Sequence, residues 1–499
     1  MQFGFAIDQR KCIGCHACTV ACKAENDVPV GSFRTWVQYT EKGQFPAVKR
    51  HFTVLRCNHC DAAPCVTICP VNALEKRPDA IVDLDRDLCI GCRACMQACP
   101  YDALYFAEDK GVAEKCHFCA HRVEVGLEPA CVVVCPVQAI VSGDTSDPTS
   151  AIAQLIAAEP TTRRRTEKNT GPRVWYVDPL VEALDPARVQ EPEAYLWSDR
   201  AAFDVPPPVV PGFEPDEHVV RTLDAPHKPA WGWHVWTYLV TKNVSAGAMM
   251  AAPFLALLGV EPGPLRDLGP EIAALGFLAV TGALLTHDLG RPERVWRLLL
   301  APNTQSWLVR GAWVLTAFGG ATFGALVARL LGAWAVADLL RWIAVPLAVL
   351  TSGYTAWLLA QCRGRDLWLE RGIFTGLVLR AGVFGAALAL LFAGAAAPFA
   401  GVAFLALSLA TAWHMNRERT AKASNTLSAR AHAMLWSSVA RRTPAWIAIG
   451  GLVGLGASLA PSLPVLSFAV AVGAVVLSSV GQFIFEREFV RAGQAVPIS

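Results

Sequence analysis

The stretch KCIGCHACTVACKAEN, residues 11–26, carries four cysteines in the spacing C-x2-C-x2-C-x3-C. Cys12, Cys15 and Cys18 are separated by two residues each, so a tight loop can direct three thiolates at one iron–sulfur cube. Cys22 is expected to start a short helix and to face a second cube, so the fourth thiolate of the first cube has to come from elsewhere. The stretch therefore predicts an N-terminal domain organised around more than one metal cluster.

Three further cysteine groups follow, and all of the 17 cysteines except Cys362 lie before residue 136. The groups are Cys57, Cys60, Cys65 and Cys69; Cys89, Cys92, Cys95 and Cys99; and Cys116, Cys119, Cys131 and Cys135. The third group repeats the spacing of the first, which is that of bacterial ferredoxins, whereas the second and fourth have longer middle spacers. Groups two to four end in Cys-Pro, within CPVNAL, CPYDAL and CPVQAI, and this repeat indicates duplicated cluster-binding units.

Disulfide bonds and zinc sites are the two alternatives for a sequence with so many cysteines. Disulfides persist in exported proteins, and structural zinc sites use isolated C-x2-C pairs. Four quartets of cysteines, three of which end in Cys-Pro, favour iron–sulfur clusters over both alternatives.

The composition divides the chain into two regions. Its 499 residues are 53% hydrophobic and 17% charged with a formal net charge of +2, which is too long and too apolar for one soluble domain. The balanced charge argues against a nucleic-acid-binding protein. The cysteines lie in the first region, and almost all long apolar runs lie after residue 230. The N-terminus MQFGFAIDQRK lacks the basic segment and apolar run of a secretory signal.

The first region, residues 1–180, resembles the four-cluster ferredoxin subunits of molybdenum oxidoreductases such as dimethyl sulfoxide, polysulfide and nitrate reductases. The stretches ACKAENDVPVG, RCNHCDAAPCVTICPVNAL and KCHFCAHRVEVGLEPACVVVCPVQAI carry the resemblance. It implies an α+β fold of dicluster-ferredoxin repeats in which the first cysteine group pairs with the fourth and the second with the third.

This pairing implies four ligand sets, which we call cluster sites 1 to 4. Site 1 is Cys12, Cys15, Cys18 and Cys135; site 2 is Cys116, Cys119, Cys131 and Cys22; site 3 is Cys57, Cys60, Cys65 and Cys99; and site 4 is Cys89, Cys92, Cys95 and Cys69. By the resemblance, site 1 lies nearest a catalytic partner and site 4 nearest the membrane. Some nitrate reductases have Trp at the position of Cys92 and hold a three-iron cluster, so the cysteine here predicts four [4Fe-4S] clusters.

Residues 181–229, between the two regions, are rich in Pro, Asp, Glu and Arg and show no persistent apolar period. They predict an extended, semi-rigid connector. The segment GPRVWYVD just before it predicts a closing strand of the cluster domain. The expected domains are thus residues 1–180, the connector 181–229 and a membrane domain over 230–499.

Eight apolar windows follow, and most are long enough to cross a bilayer of about 30 Å. They cover residues 233–259, 271–288, 307–331, 337–361, 373–397, 398–414, 444–461 and 463–485. Buried helices of soluble domains are the alternative, but runs such as GAALALLFAGAAAPFAGVAFLALSLATA favour a membrane. We therefore expect an all-α polytopic membrane bundle of about eight transmembrane helices.

Lysine and arginine residues in the loops predict the orientation of this bundle. Eight spans put both ends of the membrane domain on the side of the cluster domain. That side receives Arg291, Arg294, Arg297, Arg363, Arg365, Arg371, Arg417, Arg419, Lys422, Arg430, Arg441, Arg442, Arg487 and Arg491, and the other side receives Arg266, Arg329 and Arg341. The bias predicts a multi-pass protein of the inner (cytoplasmic) membrane with a cytoplasmic cluster domain. Export of a folded complex on a partner's twin-arginine signal is the alternative.

Residues 230–499 resemble the polysulfide-reductase-type (NrfD) membrane anchors. The resemblance is carried by WGWHVWTYLVTKNVSAGA, HDLGRPERVWRLLLAPNTQSWLVRGAW, SGYTAWLLAQCRGRDLW and EFVRAGQAVPIS. It implies a bundle of eight helices that binds quinone, either menaquinone or ubiquinone, and carries no haem. The sequence agrees with the last point, since it offers no two histidines at depth on facing helices for a bis-histidine haem.

Polar side chains within lipid are costly and are usually functional, so they indicate where quinone binds. The candidates lie at the start of the first span and the end of the second: His234, Tyr238, Lys242, His287, Asp288, Arg291 and Arg294. A quinone needs a hydrogen-bond donor and a proton acceptor, roles that suit His and Asp. By the resemblance, the first-helix His and the Asp of DLGRP line the pocket, so His234 and Asp288 are predicted as catalytic and the others as quinone-binding. Interfacial anchoring of these side chains is the alternative.

Four further polar positions of the membrane region receive structural predictions. Arg380 is expected to snorkel toward the interface, and Cys362 is expected to be a buried free thiol. Glu271 and Asp338 lie at span ends on the far side, and so few carboxylates do not predict proton pumping.

Together these features predict the quinone-reactive subunit of a respiratory oxidoreductase complex. The protein would be a fused electron-transfer and membrane-anchor subunit, and substrate chemistry would belong to a separate molybdenum or tungsten bis-pterin subunit. One alternative is an electron-relay subunit of a larger respiratory assembly with a cytochrome partner. Another is a transporter with a redox-sensing domain, but a transporter should show repeated, broken helices that the sequence lacks.

Overall fold

The computed structural model describes residues 1–190, 216, 218–225, 229–393, 398–460 and 462–498. Within these residues the protein forms an α+β N-terminal half and a helical C-terminal half, as the sequence predicts. We call them the cluster half and the membrane half.

The cluster half contains short strands and shorter helices between them. The strands are β1 Phe3–Asp8, β2 Thr35–Lys42, β3 Lys49–Arg56, β4 Leu74–Lys76, β5 Val82–Leu84, β6 Leu104–Ala107, β7 Val112–Lys115, β8 Ile140–Asp144, β9 Thr161–Thr162, β10 Val174–Val177 and β11 Val219–Leu223. The helices are α1 Ala17–Asn26, α2 Pro64–Ile68, α3 Ala94–Ala98, α4 Ala120–Val123, α5 Ala130–Val133, α6 Ala151–Ala158 and α7 Val181–Leu184.

The strands pair into small sheets that close the two ends of the domain on each other. One sheet has the order β8-β1-β10-β9, with β1 parallel to β10, which confirms the closing strand predicted in GPRVWYVD. The hairpins β4–β5 and β6–β7 follow the second and third cysteine groups and repeat one unit, as the Cys-Pro tails predict.

The prediction that Cys22 starts a short helix is wrong, because Cys22 lies within α1. The last cysteines of the second and third groups do not start helices either. Helices α2 and α3 start one residue before the third cysteines of their groups and end just before Cys69 and Cys99. Both cysteines have extended backbones, with ψ of 119° and 117°. Each precedes a proline, which disfavours the helical conformation of the residue before it. The proline thus ends each helix and turns the last cysteine away from its own group.

Two segments of the predicted connector form regular secondary structure. Residues 191–215, 217 and 226–228 of the connector lie outside the described residues. Helix α7 begins at Val181, and β11 pairs antiparallel with β2, where Val219 lies opposite Lys42. The structure therefore corrects the extended connector at both ends. Strand β11 occupies the edge of the β2–β3 sheet, with alternate side chains facing the core. Its partner β2 is far away along the chain, so local sequence patterns could not predict this pairing.

The membrane half consists of long helices joined by short helical turns. They are α8 Trp233–Ala251, α9 Pro264–Asp267, α10 Gly269–His287, α11 Arg297–Leu300, α12 Trp307–Leu330, α13 Trp334–Gln361, α14 Ile373–Ala393, α15 Pro398–Thr420, α16 Thr426–Ser437, α17 Thr443–Ser458 and α18 Pro464–Ala495. Among the described residues, a helix occupies each of the eight predicted windows. Six of them, α10, α12, α13, α14, α15 and α18, are long and apolar enough to cross a membrane.

The membrane half exposes apolar side chains and buries polar ones. Phe323 and Leu466 lie exposed on the outer faces of their helices, whereas Thr281, Thr322 and Ser352 are buried. Such a distribution suits lipid surroundings, where hydroxyls bond within or between helices. The buried Ser352, for example, donates to the Leu377 carbonyl at 2.8 Å.

The two halves contact each other through backbone groups. The Arg291 N–H donates to the Ile90 carbonyl at 3.1 Å. A Cβ added at Gly290 would overlap the Gly111 carbonyl oxygen, so only glycine permits this approach. The contact places the cluster half at the helix ends that the sequence assigns to its side of the membrane.

Candidate cluster and quinone sites

All 17 cysteines are free thiols, which gives the disulfide alternative no support. Cys15 is exposed, Cys12, Cys92 and Cys135 are partly buried, and the others are buried. Cys362 is fully buried in the membrane half, which confirms the prediction of a buried free thiol.

Mutual electrostatic effects show which thiols lie together at sites 1 and 2. Burial raises the pKa of Cys12, and negative charge on Cys135 raises it further. Burial also raises the pKa of Cys22, with further increases from Cys116 and Cys131. The structure thus brings the last cysteine of the fourth group to site 1 and that of the first group to site 2.

Sites 3 and 4 are crossed in the same way. Burial raises the pKa of Cys65, and charge on Cys99 and Cys57 adds to the effect. At site 4, burial raises the pKa of Cys92, and charge on Cys69 and Cys89 raises it further. Each last cysteine therefore lies beside the group with which the resemblance pairs it.

Electrostatic effects between thiols of neighbouring sites place the four sites in a row. Burial raises the pKa of Cys18 to about 11, to which Cys131 of site 2 contributes. Burial raises the pKa of Cys116 to about 12, with a contribution from Cys57 of site 3. Cys65 of site 3 likewise raises the pKa of the buried Cys95 of site 4. The order along the domain is therefore site 1, 2, 3 and 4.

The surroundings of the thiols suit an anionic iron–sulfur cluster. The four cysteines of site 2 line one enclosed cavity. The buried Arg56 donates there to the Cys131 sulfur at 3.2 Å. At other sites, backbone N–H groups of Ala139 and Gly91 donate to cysteine sulfurs at 3.2 and 3.4 Å. Cations and hydrogen bonds to sulfur stabilise thiolates and clusters.

The zinc alternative finds no support in the same residues. Among the described residues, no three His, Cys, Asp or Glu side chains converge closely enough to hold a single metal ion. A zinc ion draws its ligands to about 2.3 Å from one point, whereas a cube spreads four thiolates around a larger body. The crossed sets of buried thiols fit the cube.

Three of the seven predicted quinone residues meet beside site 4. His234 Nε2 lies 2.9 Å from His287 Nδ1, and His234 Nδ1 lies 3.3 Å from an Asp288 carboxylate oxygen. Arg93, the residue after Cys92, approaches the same oxygen at 3.8 Å. Trp233 stacks on the His234 ring with centroids 3.9 Å apart. The structure thus brings His234, His287 and Asp288 together next to a cluster ligand.

Asp288 lies one residue beyond helix α10, at the edge of the cluster half. Burial raises the pKa of its carboxyl to about 6, although Arg93 and His287 act in the opposite direction. A carboxyl group with this pKa can both accept and release a proton near neutral pH. The His234–His287–Asp288 group therefore offers ring nitrogens and a carboxylate for proton exchange.

Tyr238 and Lys242 lie apart from this group, deeper in the bundle. Each step of four residues turns a helix face by about 40°, so the three side chains of α8 do not converge on one point. Lys242 Nζ instead donates to the Ser352 carbonyl at 2.9 Å and to the Thr355 hydroxyl at 2.5 Å. The predicted quinone residues of α8 therefore belong to two different surroundings.

Arg291 and Arg294 have partners in the cluster half. Arg291 Nε donates to the Lys110 carbonyl at 2.8 Å, and Arg294 Nη1 donates to the Arg86 and Cys89 carbonyls at 2.8 and 2.9 Å. The sequence assigns these arginines to quinone, but the structure uses them to hold the two halves together.

The membrane half contains a buried ion pair that the sequence did not predict. Arg380 does not snorkel: its Nε lies 2.9 Å from a Glu486 oxygen, and both side chains are buried. The predicted window ends at residue 485, one position before this carboxylate, whereas α18 extends to Ala495. A search for glutamates within one turn of a window end would have found it.

Functional side chains next to site 4 escaped prediction for a different reason. Arg93 lies within the third cysteine group and Trp231 begins the stretch WGWHV, but neither pattern assigns these two side chains a role at the site. Trp231 Nε1 donates to the Cys92 carbonyl at 3.3 Å, and Arg93 lies over the Phe106 ring at 4.2 Å.

Comparison with protein families assigns both halves. A 4Fe-4S binding domain matches residues 10–27, and a 4Fe-4S dicluster domain matches residues 48–145. The family described as polysulphide reductase, NrfD, matches residues 224–416.

Individual proteins resemble the cluster half. A putative dimethyl sulfoxide reductase iron-sulfur subunit of Halobacterium salinarum is 40% identical over 231 residues, which are 40% of this chain and 88% of that protein. A tetrathionate reductase subunit of Salmonella typhimurium is 42% identical over 38% of this chain and 80% of its own length. A polysulfide reductase chain of Wolinella succinogenes is 39% identical over 35% of this chain and 94% of its own length. The protein therefore belongs to the family of reductase iron–sulfur subunits, here fused to an NrfD-type membrane domain.

Proposed function

We propose that this protein transfers electrons between membrane quinone and a separate molybdenum or tungsten bis-pterin subunit, and that it anchors this subunit to the membrane. The observation that carries the proposal is the row of four cysteine sites whose last member lies beside His234 and Asp288. A row of neighbouring clusters can function as an electron-transfer chain in which electrons enter at one end and leave at the other.

The sixteen grouped cysteines hold four [4Fe-4S] clusters in this proposal. Bound clusters of this type supply one-electron transfer over a wide range of potentials. The protein buries the thiols, supplies Arg56 and backbone N–H groups to their sulfurs, and spaces the sites along one domain.

The catalytic partner docks at the site 1 end. Cys15 is the exposed cysteine among the 17. Exposed apolar side chains of Ile13, Val20 and Val133 lie within two residues of the site 1 ligands Cys12, Cys18 and Cys135. Apolar side chains clustered on a water-facing surface are typical of protein interfaces. The names of the relatives, subunits of dimethyl sulfoxide, tetrathionate and polysulfide reductases, support an oxidoreductase partner.

The site 4 end is where quinone reacts. Reduction of a quinone to a quinol takes up two electrons and two protons, and oxidation releases them. His287 orients the His234 ring by donating to its Nε2 at 2.9 Å, so the donor to a quinone carbonyl is the His234 Nδ1–H, which lies 3.3 Å from Asp288. Asp288 exchanges the proton at this nitrogen. Tyr238 and Lys242 contact the quinone deeper in the bundle in this proposal, outside the His234–His287–Asp288 group. No haem is needed in this scheme.

The eight helices α8, α10, α12, α13, α14, α15, α17 and α18 all cross the inner membrane in this proposal. The four-cluster domain covers residues 1–180, to which β11 adds a strand, and the membrane domain covers residues 230–499. Most helix ends opposite the cluster half carry few cations, and Arg329 and Arg341 there pair with Asp338 and Glu271. The cluster half is therefore placed in the cytoplasm.

Two experiments test the proposal. Affinity purification of the protein from its native membrane should recover a large subunit with bound molybdenum or tungsten. Recovery of a multihaem cytochrome instead would indicate the relay subunit of a larger respiratory assembly. Separately, His234→Ala and Asp288→Asn should each abolish reduction of the clusters by quinol while dithionite still reduces them. If quinol reduces both variants at the wild-type rate, the quinone site lies elsewhere.

A further inference from the structure

Side chains of the membrane half bind the peptide carbonyls of site 4. Asn303 Nδ2 donates to the Cys69 carbonyl at 2.8 Å. Arg294 Nη1 donates to the Cys89 carbonyl at 2.9 Å, and Trp231 Nε1 donates to that of Cys92 at 3.3 Å. Three of the four site 4 ligands are thus held by groups from outside the cluster half.

Other sites receive such hydrogen bonds from their own half. Lys115 Nζ donates to the Cys116 carbonyl of site 2 at 2.8 Å. Lys76 Nζ donates to the Cys60 carbonyl of site 3 at 3.0 Å. The cluster half therefore places a cation beside the ligand peptides of sites 2 and 3, whereas at the ligand Cys89 of site 4 the corresponding cation, Arg294, comes from the membrane half.

The three donors are fixed in place by neighbouring contacts. Asn303 is also held through its backbone, because its N–H donates to the Pro70 carbonyl at 2.9 Å. Arg294 donates to the Arg86 carbonyl as well, and the Trp231 ring stacks on Trp368 with centroids 5.4 Å apart. These side chains are ordered parts of the contact between the halves.

The chemistry of a cluster makes such donors consequential. Reduction adds one negative charge to the cluster, so a nearby cation or hydrogen-bond donor stabilises the reduced form more than the oxidised form. Groups that orient the ligands rather than bind the metal also tune metal sites. Arg294 should have the largest effect of the three because it carries a full charge.

The geometry points to Arg294, Asn303 and Trp231 as positioning residues that complete site 4 and raise the reduction potential of its cluster. The inference rests on the proposed cluster set. Under it, the membrane half sets the potential of the cluster that exchanges electrons with quinone. Site 4 is then a site shared by the two halves, and its properties depend on their contact.

The test is a redox titration of the purified full-length complex, followed by electron paramagnetic resonance. Arg294→Gln keeps a hydrogen-bond donor but removes the charge, and it should lower the potential of one cluster while the other three stay unchanged. Arg297→Gln is the matched control, because Arg297 bonds the carbonyl of Asp87, which is not a ligand, at 2.6 Å. Cys92→Ser, which alters a site 4 ligand, identifies which signal belongs to that site.

Two further variants keep the inference testable if Arg294→Gln fails to assemble. Trp231→Phe removes only the donor and should give a smaller shift in the same direction. Asn303→Asp replaces a donor by a negative charge and should also lower the potential.

An unchanged site 4 potential in all three variants would overturn the inference. So would an equal shift in Arg297→Gln, or a shift shared by all four clusters. Failure of the proposed cluster set is distinguishable, because it would appear in the unmodified protein as an iron content below about sixteen per chain.

Discussion

The cluster half and the membrane half differ in the side chains that cover their surfaces. In the cluster half, Phe5, Ile7 and Tyr176 pack inside a shell of charged residues. In the membrane half, Lys242 and Glu486 are inside, and large apolar side chains cover the outside. Water excludes apolar side chains from the surface of the cluster half. Lipid excludes polar and charged side chains from the surface of the membrane half. Equivalent residues should therefore have different roles in the two halves, and the following predictions test this.

The largest difference is expected between two buried cysteines. Cys99 lies at site 3, whereas Cys362 is packed in the membrane half. Cys99→Ala should reduce the iron content from about sixteen to about twelve per chain and abolish electron transfer from quinol, because the row is broken. Cys362→Ala should leave both unchanged. Iron analysis and quinol-driven cluster reduction measure the two outcomes. Equal iron contents in the two variants would contradict the cluster set.

Two glycines should differ almost as strongly. Gly290 lies where the halves touch, and a Cβ there would overlap the Gly111 carbonyl. Gly276 lies on the outer face of α10, where an added Cβ meets no atom within 4 Å. Gly290→Val should separate the halves, so that dithionite but not quinol reduces the clusters.

Gly276→Val is the control, and it should retain reduction by quinol. Cluster reduction followed by absorbance after each reductant distinguishes the two cases. If quinol reduces the clusters of Gly290→Val at the wild-type rate, the close approach at this glycine does not carry electrons.

Buried ion pairs allow the two halves to be compared directly. Arg34 lies 2.6 Å from Glu114 in the cluster half, and Arg380 lies 2.9 Å from Glu486 in the membrane half. Removing one partner of such a pair costs about 3–5 kcal/mol, because the other charge stays buried. Glu486→Leu should therefore lower thermal stability in detergent more than the double variant Arg380→Leu/Glu486→Leu.

The partly exposed pair of Arg487 and Glu488 supplies the control for this experiment. Ion pairs at the surface contribute about 0–1 kcal/mol, so Arg487→Gln should have little effect. A double variant less stable than the single one would show that the ion pair contributes more than its burial costs.

The smallest effect is expected for the few apolar side chains that the cluster half exposes. They are exceptions to the rule that apolar side chains of this half are buried. Ile13 lies next to Cys12 of site 1, and Phe45 lies at the far end of the β2–β3 hairpin. Ile13→Asp should weaken binding of the catalytic subunit by roughly tenfold, or about 1.4 kcal/mol, as for an interface residue. Phe45→Asp should not change binding. Subunit recovery at decreasing concentration measures both, and equal losses would place the interface elsewhere.

The sequence predicted those features that depend on residues close to one another along the chain. Cysteine spacings located the metal-binding groups, and apolar windows located eight helices. It could not place Arg294, because an interface arginine has the same local sequence as a membrane-anchoring one. Nor could it separate Lys242 from His234, since their distinct neighbours, Ser352 and His287, lie on helices far along the chain.

The return of the chain to the cluster half at β11 limits how far the two halves can separate. Only residues 224–232 connect β11 to α8, and a fully extended segment of this length spans about 30 Å. With such a short tether, the effective concentration of one half at the surface of the other is in the millimolar range, on the order of that for short linkers. Dilution therefore cannot exchange cluster halves between molecules, and each membrane half keeps one cluster half for the lifetime of the protein.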